Sequence, residues 1–145
     1  MNSATVDCPI IDVSATQSLG SCSSGAKTST LTINNSDSAN AVAYVLVEYS
    51  LDGGSNWTQK AANQTVNNNG SATLTQSVPH NSAIQWRYKT STTSGSYSGS
   101  YVTSSDLNSA TVDCPVVDVS VSATLGTCSS GSATSSFAIT NSASA

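Results

Sequence analysis

The chain has 145 residues, of which only 8% are charged, with a net charge of −4 and one histidine. Lys and Arg together number four, which excludes the basic surface that nucleic-acid binding requires. The longest apolar run, AVAYVLV from Ala41, is far shorter than a membrane span. Abundant Ser, Thr, Asn and Gly favour an extracellular protein over a cytosolic enzyme, although no signal peptide is visible.

Short segments with period-two alternation, typical of β-strands, recur along the chain, and no segment keeps a helical period. The clearest is SAIQWRYKT, in which Ile84, Trp86 and Tyr88 alternate with polar residues. Asp52 begins a DGG turn signal of the kind found in hairpins. The pattern predicts strands at 10–16 (A), 27–34 (B), 42–50 (C), 56–66 (C′), 71–78 (E), 83–91 (F) and 99–112 (G, open to a break at 104–106).

Seven short strands at this spacing predict an all-β fold, a two-sheet sandwich with Greek-key connections. Its predicted core consists of Val13, Leu31, Ile33, Val45, Val47, Tyr49, Trp57, Leu74, Ile84, Trp86 and Tyr88. The tryptophans could alternatively form a sugar-binding platform. Core packing is the favoured interpretation for Trp86 and, less strongly, for Trp57.

One stretch of sequence occurs twice. SATVDCPIIDVSATQSLGSCSSG begins at Ser3, and SATVDCPVVDVSVSATLGTCSSG begins at Ser109, an offset of 106 residues. Over the 39 gapless aligned positions that start at Met1 and Leu107, 24 are identical. A register held over this span indicates a tandem repeat of domain size.

The repeat predicts how the chain is divided. Residues 1–8 are expected to end strand G of a preceding repeat, 9–114 to form a complete β-sandwich repeat, and 115–145 to supply strands A and B of the following one. The chain is therefore interpreted as a window from a longer array, in which Met1 need not be a natural start.

Three segments resemble a known class of domain. VEYSLDGGSNWTQ from Val47, followed by SVPHNSAIQWRYKT from Ser77, resembles the C- and F-strand signatures of fibronectin type III and immunoglobulin-like repeats in bacterial surface proteins. LGSCSSGAKTSTLTINNS from Leu19 is similar to the B-strand entry of such repeats. The resemblance implies extracellular tandem modules that act as spacers, stalks, adhesins or fibres, and it implies no catalytic residue.

Each period contains two cysteines: Cys8 and Cys22, then Cys114 and Cys128. A zinc site would require tighter spacing and more histidine, so disulfides are favoured over metal binding or free buried thiols. If strand A spans 10–16, its ends lie on the order of 20 Å apart, which argues against the nearest pairing, Cys8 with Cys22.

Strand direction favours another pairing. Strands A and G run the same way in this sandwich topology, so strand G delivers Cys114 to the end of the domain where Cys22 follows the A–B turn. Cys22–Cys114 is therefore the predicted disulfide, with Cys8 and Cys128 bonded to neighbouring repeats. Because TVDCPVVDV contains no flexible Gly/Ser linker, consecutive domains should form a stiff rod.

Other candidate sites are few. His80 follows Pro79 and is predicted to be exposed. Asparagines that begin glycosylation sequons are Asn34, Asn56, Asn63 and Asn69. Four aspartates flank the junctions and form either a polar cap, the favoured interpretation, or a Ca²⁺ site: Asp7, Asp12, Asp113 and Asp118.

Two functional hypotheses remain. The first is a structural repeat of an extracellular filament, stalk or cell-surface fibre, whose partners are neighbouring repeats or chains and glycans. The alternative is an adhesin or carbohydrate-binding repeat, for which Tyr97 and Tyr101 are the only hint of an exposed aromatic cluster. No acid–base or nucleophilic set of residues can be assembled, so neither an enzyme nor a cofactor is predicted.

Overall fold

A computed structural model describes residues 8–36, 38–115 and 117–141. Its strands are β1 (Val13–Ser23), β2 (Ala26–Asn35), β3 (Ala43–Ser50), β4 (Thr58–Val66), β5 (Gly70–Pro79), β6 (Gln85–Ser91), β7 (Val119–Leu125) and β8 (Ser135–Asn141). Within the described residues the helical content is one 3-10 turn, Ser105–Leu107. The chain is all-β, as the alternation of its sequence predicts.

The first six strands form two antiparallel sheets, and the last two form a separate hairpin. One sheet has the order β1-β2-β5 and the other the order β4-β3-β6. The β1–β2 hairpin turns at Ser24 and Gly25, both at positive φ, a conformation that glycine adopts without strain. Both three-stranded sheets contribute side chains to the same core, so they form two packed layers.

The core is small and consists mainly of aliphatic side chains around one tryptophan. Its buried members are Leu31, Ile33, Ala43, Val45, Val47, Val66, Val78, Ile84, Trp86, Tyr88, Leu107, Val112 and Cys114. Trp86 is the largest fully buried side chain, and its ring lies 5.7 Å from that of Tyr49 in a tilted arrangement. Burial of these apolar groups is the main stabilising contribution to the domain.

Two buried polar side chains of β2 join the layers. The indole nitrogen of Trp86 donates a hydrogen bond to the hydroxyl of Ser29 at 3.0 Å, across the core. The amide nitrogen of Asn35 donates to the carbonyl of Ala41 at 2.9 Å and to that of Val66 at 3.4 Å. Both β2 residues are at most 1% exposed, so these bonds satisfy groups that would otherwise be costly to bury.

The core prediction is right for its central members and wrong at its margins. Val13, Tyr49 and Leu74 are only partly buried, although they pack against the core. Trp57 lies outside the core cluster because it precedes β4 in the loop after the DGG turn, where its ring meets a surface side chain. The alternation pattern did not single out residues whose flanking sequence is irregular: Leu107, Val112 and Cys114.

Two of the predicted strands are misplaced. Strand A, predicted at 10–16, is β1 and runs from 13 to 23, so Cys22 lies within the strand and not after its turn. Its half-buried positions are Val13, Ala15, Gln17 and Leu19, of which Ala15 and Gln17 weaken the hydrophobic alternation, and its pairing with β2 is irregular between Leu19 and Cys22. Strand C′, predicted from 56, begins at Thr58.

Strand G, predicted at 99–112, is not a continuous strand. Its backbone pairs with β6 through two isolated bridges, Tyr88 with Val102 and Gln85 with Asn108. Between the bridges the 3-10 turn places Leu107 in the core, 1% exposed. Burying this leucine requires the chain to leave the sheet edge, which breaks the ladder.

The β7–β8 hairpin repeats the β1–β2 hairpin. Val119 pairs with Asn141 as Val13 pairs with Asn35, and Val121 pairs with Ile139 as Ala15 pairs with Ile33. The two registers are therefore identical when the 106-residue offset is applied. That residues 115–145 are strands A and B of a following repeat stays a prediction, as does the boundary 9–114, and residues 1–7 lie outside the described residues.

We expect Leu31→Ala to lower the free energy of unfolding by about 2–5 kcal/mol, because it leaves a cavity where the side chain is fully buried. Phe137→Ala is the matched control, since Phe137 occupies the equivalent repeat position but is 68% exposed. Urea denaturation measures both effects. Equal losses in the two variants would contradict the assignment of the core.

Candidate functional site: the disulfide-closed end of the domain

Residues 108–114, here called the closing segment, lie along the connection between β5 and β6. The amide of Ser109 donates to the carbonyl of Ile84 at 2.9 Å, and its hydroxyl accepts from the Ile84 amide at 3.0 Å. Further along, the amide of Val112 donates to Ser82 at 2.7 Å, and the amide of Asn81 donates back to Val112 at 2.9 Å. These bonds direct the closing segment across the end of both sheets.

His80 helps to fix the last residue of this segment. Its ring nitrogen Nδ1 accepts a hydrogen bond from the Cys114 amide at 3.1 Å, and its own amide donates to Gly25 at 2.9 Å. The side chain is 23% exposed, so the prediction of an exposed histidine is wrong. The carboxylate of Asp113 lies 3.7 Å from the same Nδ1. His80 therefore connects the β1–β2 turn with the closing segment.

The closing segment ends in a disulfide to β1. Cys114 is bonded to Cys22 with a Cα–Cα distance of 5.6 Å, the pairing that strand direction favours. Cys114 is fully buried, whereas Cys22 is on the exposed side of β1. The bond spans 92 residues of sequence, so it encloses almost the whole domain in one covalent loop.

The opposite end of β1 is held by side-chain hydrogen bonds. The amide oxygen of Asn40 accepts from the Ile10 amide at 2.6 Å, and its nitrogen donates to the carbonyl of Cys8 at 3.3 Å. The hydroxyls of Ser36 and Ser38 donate to the carboxylate of Asp12 at 2.7 and 2.9 Å. Cys8 and the disulfide therefore lie at opposite ends of the domain, separated by the length of β1.

Cys8 and Cys128 are exposed and form no disulfide within the chain. By the repeat, Cys8 is the equivalent of Cys114, and Cys128 is the equivalent of Cys22. Each thiol therefore occupies a position whose equivalent in the repeat takes part in the Cys22–Cys114 disulfide. Their bonding to neighbouring repeats stays a prediction.

A stack of aromatic and charged side chains lies on the outer face of the β4-β3-β6 sheet. The guanidinium of Arg87 is 4.0 Å from the ring centroids of both Trp57 and Tyr101, and it contacts Glu48 through Nη2 at 2.6 Å and Nε at 2.8 Å. Lys89 adds a second cation 4.5 Å from the Tyr101 ring. Burial raises the pKa of Tyr101, and its hydrogen bond with Glu48 raises it further.

This Arg87 stack takes the place of the missing edge ladder. Tyr101 precedes the residue that bridges to Tyr88, so cation–π contact fastens the chain where regular strand pairing is absent. The predicted exposed tyrosine pair has two separate roles, because Tyr97 donates its hydroxyl to Asn63 at 2.5 Å. Sequence analysis missed the stack because it joins a loop, a strand and a turn that are far apart in the chain.

The turn before Trp57 is organised by Asp52. Its carboxylate accepts from the Ser50 hydroxyl at 2.6 Å, the Asn56 amide at 2.9 Å and the Asn56 side-chain nitrogen at 2.6 Å. These hydrogen bonds, that of Ser50 foremost, lower the pKa of Asp52 to about 2. The ordered turn places Trp57 over Arg87.

The four sequon asparagines are all exposed but differ in their contacts. The side-chain nitrogen of Asn56 donates a hydrogen bond to Asp52, and that of Asn63 donates one to Ser94, each at 2.6 Å. The side chains of Asn34, on β2, and Asn69, at φ 51° in the β4–β5 turn, form no hydrogen bond within the described chain. Nothing tests their modification, which stays a prediction.

The described aspartates do not converge on one point. Asp12 and Asp113 lie at opposite ends of β1, and Asp7 is outside the described residues. Hydrogen bonds from Ser36 and then Ser38 lower the pKa of Asp12. Among residues 8–36, 38–115 and 117–141, no three His, Cys, Asp or Glu side chains are close enough to share a metal ion.

Comparisons with protein-family models, with curated proteins and with solved structures found no match to this chain. The part of the chain that the structure describes contains no helix with the length and apolar character of a membrane span. The site must therefore be interpreted from its own geometry.

We expect His80→Ala to make the Cys22–Cys114 disulfide about 2- to 13-fold easier to reduce. The Cys114 amide loses its hydrogen-bond acceptor, which costs about 0.5–1.5 kcal/mol. A smaller fraction of the reduced chains then keeps Cys22 and Cys114 close enough to form the disulfide, so the equilibrium shifts toward the reduced form. Equilibration with glutathione measures this. His80→Asn, which restores an acceptor, should recover part of the difference, whereas an unchanged equilibrium in His80→Ala would exclude the role.

Arg87→Lys should lower the free energy of unfolding by about 1–2 kcal/mol, because lysine keeps the charge but loses planar stacking on two rings. Lys60→Arg on β4 is the control and should change stability by less than about 0.5 kcal/mol. Urea denaturation followed by tryptophan fluorescence measures both. Equal stability of Arg87→Lys and the wild type would show that the stack contributes nothing.

Asp52 should titrate near pH 2 in the folded chain, against its ordinary value of 3.8. Because the folded pKa is depressed, its stabilisation of the turn is complete above about pH 4 and is lost as the pH falls through about 2. The carboxyl carbon shift in NMR measures the midpoint. A midpoint near 3.8 would show that the turn bonds do not form in solution, and Asp52→Asn should remove this pH dependence.

Proposed function

We propose that the chain is a structural repeat unit of an extracellular filament, stalk or surface fibre, built from end-to-end β-sandwich domains of the immunoglobulin or fibronectin III type. Each domain is closed by its own disulfide, and no catalytic activity is proposed. The supporting observation is the placement of the Cys22–Cys114 bond at the point where the chain leaves the domain for the next copy of the repeat.

The bond decides which residues bear a pulling force. Tension that enters at Cys8 passes through the 14 residues from Pro9 to Cys22, crosses the disulfide and leaves through Pro115. Most of the domain, from Ser23 to Asp113, forms a covalent loop beside this path. The only strand in the path is β1. Its antiparallel pairing with β2 and the hydrogen bond of Asn40 at its Cys8 end resist its removal.

The connection between copies is short. Cys114 is followed by Pro115, and only four residues separate Cys114 from Val119, where β7 begins. Proline restricts the backbone, and the segment contains no glycine or serine, so it resembles a stiff spacer more than a flexible linker. Both features suit a rod that transmits tension.

The alternative is an adhesin or carbohydrate-binding repeat. An aromatic platform for a sugar requires an open ring face, and the rings of Trp57 and Tyr101 each turn one face to Arg87. Contact with Arg87 gives both rings a structural role within the domain. Glycans on Asn34, Asn56, Asn63 and Asn69 are proposed as decoration of the fibre surface.

Single-molecule pulling on the chain by tags at its two ends tests the load path. In the oxidised chain the 92-residue loop cannot extend, and reduction should add about 300 Å of contour length at ~3.4 Å per residue. The Cys22→Ser variant should extend like the reduced chain even under oxidising conditions. Equal contour lengths before and after reduction would overturn the load path.

The filament role itself is tested on the complete native protein. Antibodies against this chain should label thin filaments along their length in electron micrographs of the source cells or their secreted material. Compact isolated particles, with no filament labelled, would overturn the proposal. Saturable sugar binding abolished by Trp57→Ala, in a variant that keeps its fold, would favour the alternative.

A further inference from the structure

The two three-stranded sheets have four edge strands: β1 and β5 in one sheet, and β4 and β6 in the other. An edge strand presents unpaired backbone N–H and C=O groups. Proteins usually protect such a strand with a charged side chain, a bulge or a covering segment. In the part of the chain that the structure describes, three of the four edges are protected in these ways, and β5 is the exception.

Contacts along the other three edges show how each is protected. β4 carries Lys60, and its pairing with β3 is irregular around Val47. The backbone of Val102 bridges to β6. β1 pairs irregularly between Leu19 and Cys22, the disulfide joins it to the closing segment, and the 3-10 turn lies beside it. Each of these features opposes pairing with a further strand.

β5, by contrast, is a regular strand without charge. Its 10 residues pair with β2 without a register shift, and none of them is Asp, Glu, Lys or Arg. Pro79 is the last residue of the strand, where it does not interrupt the ladder. Lys60 of the other sheet reaches the side chain of Gln76 at 3.2 Å, near the same end. Most of this edge is therefore open to a further strand.

The direction of the free backbone groups follows from the β2–β5 ladder. The His80 amide donates to the carbonyl of Gly25 at 2.9 Å, so these residues form a hydrogen-bonded pair that continues the register. Such pairs alternate in an antiparallel ladder, so every second residue of β5 directs its N–H and C=O away from β2. Four residues with exposed side chains have this orientation: Ser71, Thr73, Thr75 and Ser77. The Ser77 carbonyl accepts a 3.3 Å hydrogen bond from the Gln76 side chain, which an incoming amide would replace.

The outward residues of β5 follow the order Ser, Thr, Thr, Ser, which is the same in both directions about Leu74. An antiparallel second copy of β5, centred on Leu74, places Thr73 opposite Thr75 of the second copy. It places Ser71 opposite Ser77 of the second copy in the same way. Thr and Ser side chains opposite each other can hydrogen-bond, and no like charges meet. β5 is therefore its own complement, as a two-fold symmetric contact requires.

We infer that the open edge of β5 is a docking surface for β5 of a second copy of this chain, which joins two β1-β2-β5 sheets into one six-stranded sheet. This lateral contact goes beyond the proposed filament, which requires contacts only between consecutive repeats of one chain. In the proposed array, adjoining repeats attach beyond Cys8 and Pro115, at the ends of the domain, whereas β5 lies along its side. Weak contacts of this kind would add along two neighbouring chains.

Amide hydrogen exchange followed by NMR tests the contact residue by residue. The oxidised chain, with its two free thiols alkylated, is compared at about 50 μM and at about 1 mM, the order of the effective concentration in an array. The outward amides of Thr73 and Thr75 should exchange at least about 2-fold more slowly at 1 mM, whereas the Leu74 amide, bonded to β2, should not change. Unchanged exchange of the outward amides would overturn the inference, even if the chain associates through another surface such as the β7–β8 hairpin.

Charged pairs test the register of the contact. Thr73→Lys with Thr75→Lys places like charges opposite each other and should abolish the concentration dependence, whereas Thr73→Asp with Thr75→Lys places opposite charges there and should restore it. Thr16→Lys with Ser18→Lys, at exposed positions on β1 of the same sheet, adds the same charge and should leave the dependence unchanged. Equal loss in both double-lysine variants, or no recovery with opposite charges, would overturn the inference. The pulling and imaging results on the filament would be unaffected.

Discussion

The bond between Cys22 and Cys114 determines how this domain is closed. Residues 99–114 form no continuous strand, and they remain on the domain through scattered contacts: two isolated bridges, the buried Leu107, the Arg87 stack and His80. The disulfide fixes the end of this segment to the first strand. In the loop-entropy description, a crosslink that encloses 92 residues stabilises the folded chain by roughly 4–5 kcal/mol.

A contribution of this size is large for such a domain. The buried core contains two aromatic residues, Trp86 and Tyr88, and most of the remainder is valine, leucine and isoleucine. Ionic contacts are few, since the chain is only 8% charged and the salt bridge of Glu48 with Arg87 is half-buried on one sheet face. Polar groups inside the domain are instead satisfied by uncharged partners, as in the bond from Trp86 to Ser29. We therefore expect the stability of the fold to depend more on reduction than on salt.

Regular alternation in the sequence was enough to predict the inner strands. In β6 the buried Trp86 and Tyr88 alternate with half-buried polar residues. In β3 burial alternates from Ala43 to Val47, and the buried Ser50 ends that pattern. β1 was placed several residues too early because its inward positions include Ala15 and Gln17 and its last four residues are all exposed, so hydrophobicity alone does not mark its end. The prediction of strand G was wrong for another reason. Burial of the Leu107 side chain in the core stabilises the chain more than continued backbone pairing at the sheet edge would.

The candidate site, too, could be predicted from the sequence only in part. The disulfide could be predicted, because strand direction decides it and a shift of strand A by a few residues does not change which end of the domain Cys22 occupies. The role of His80 could not, since it depends on a turn geometry that places Nδ1 against one amide. The Arg87 stack also depends on three segments brought together only by the fold. Contacts between irregular segments leave no period in the sequence.

The covalent loop from Ser23 to Asp113 has a consequence for resistance to proteolysis. Proteases cut exposed loops first, and residues 92–96, between β6 and the 3-10 turn, form such a loop, with Gly95 at positive φ. A single cut there would separate two peptides that remain joined through Cys22 and Cys114. An array of such domains would keep its full length and its covalent continuity after one cleavage in every copy, whereas an uncrosslinked array would be severed by the first.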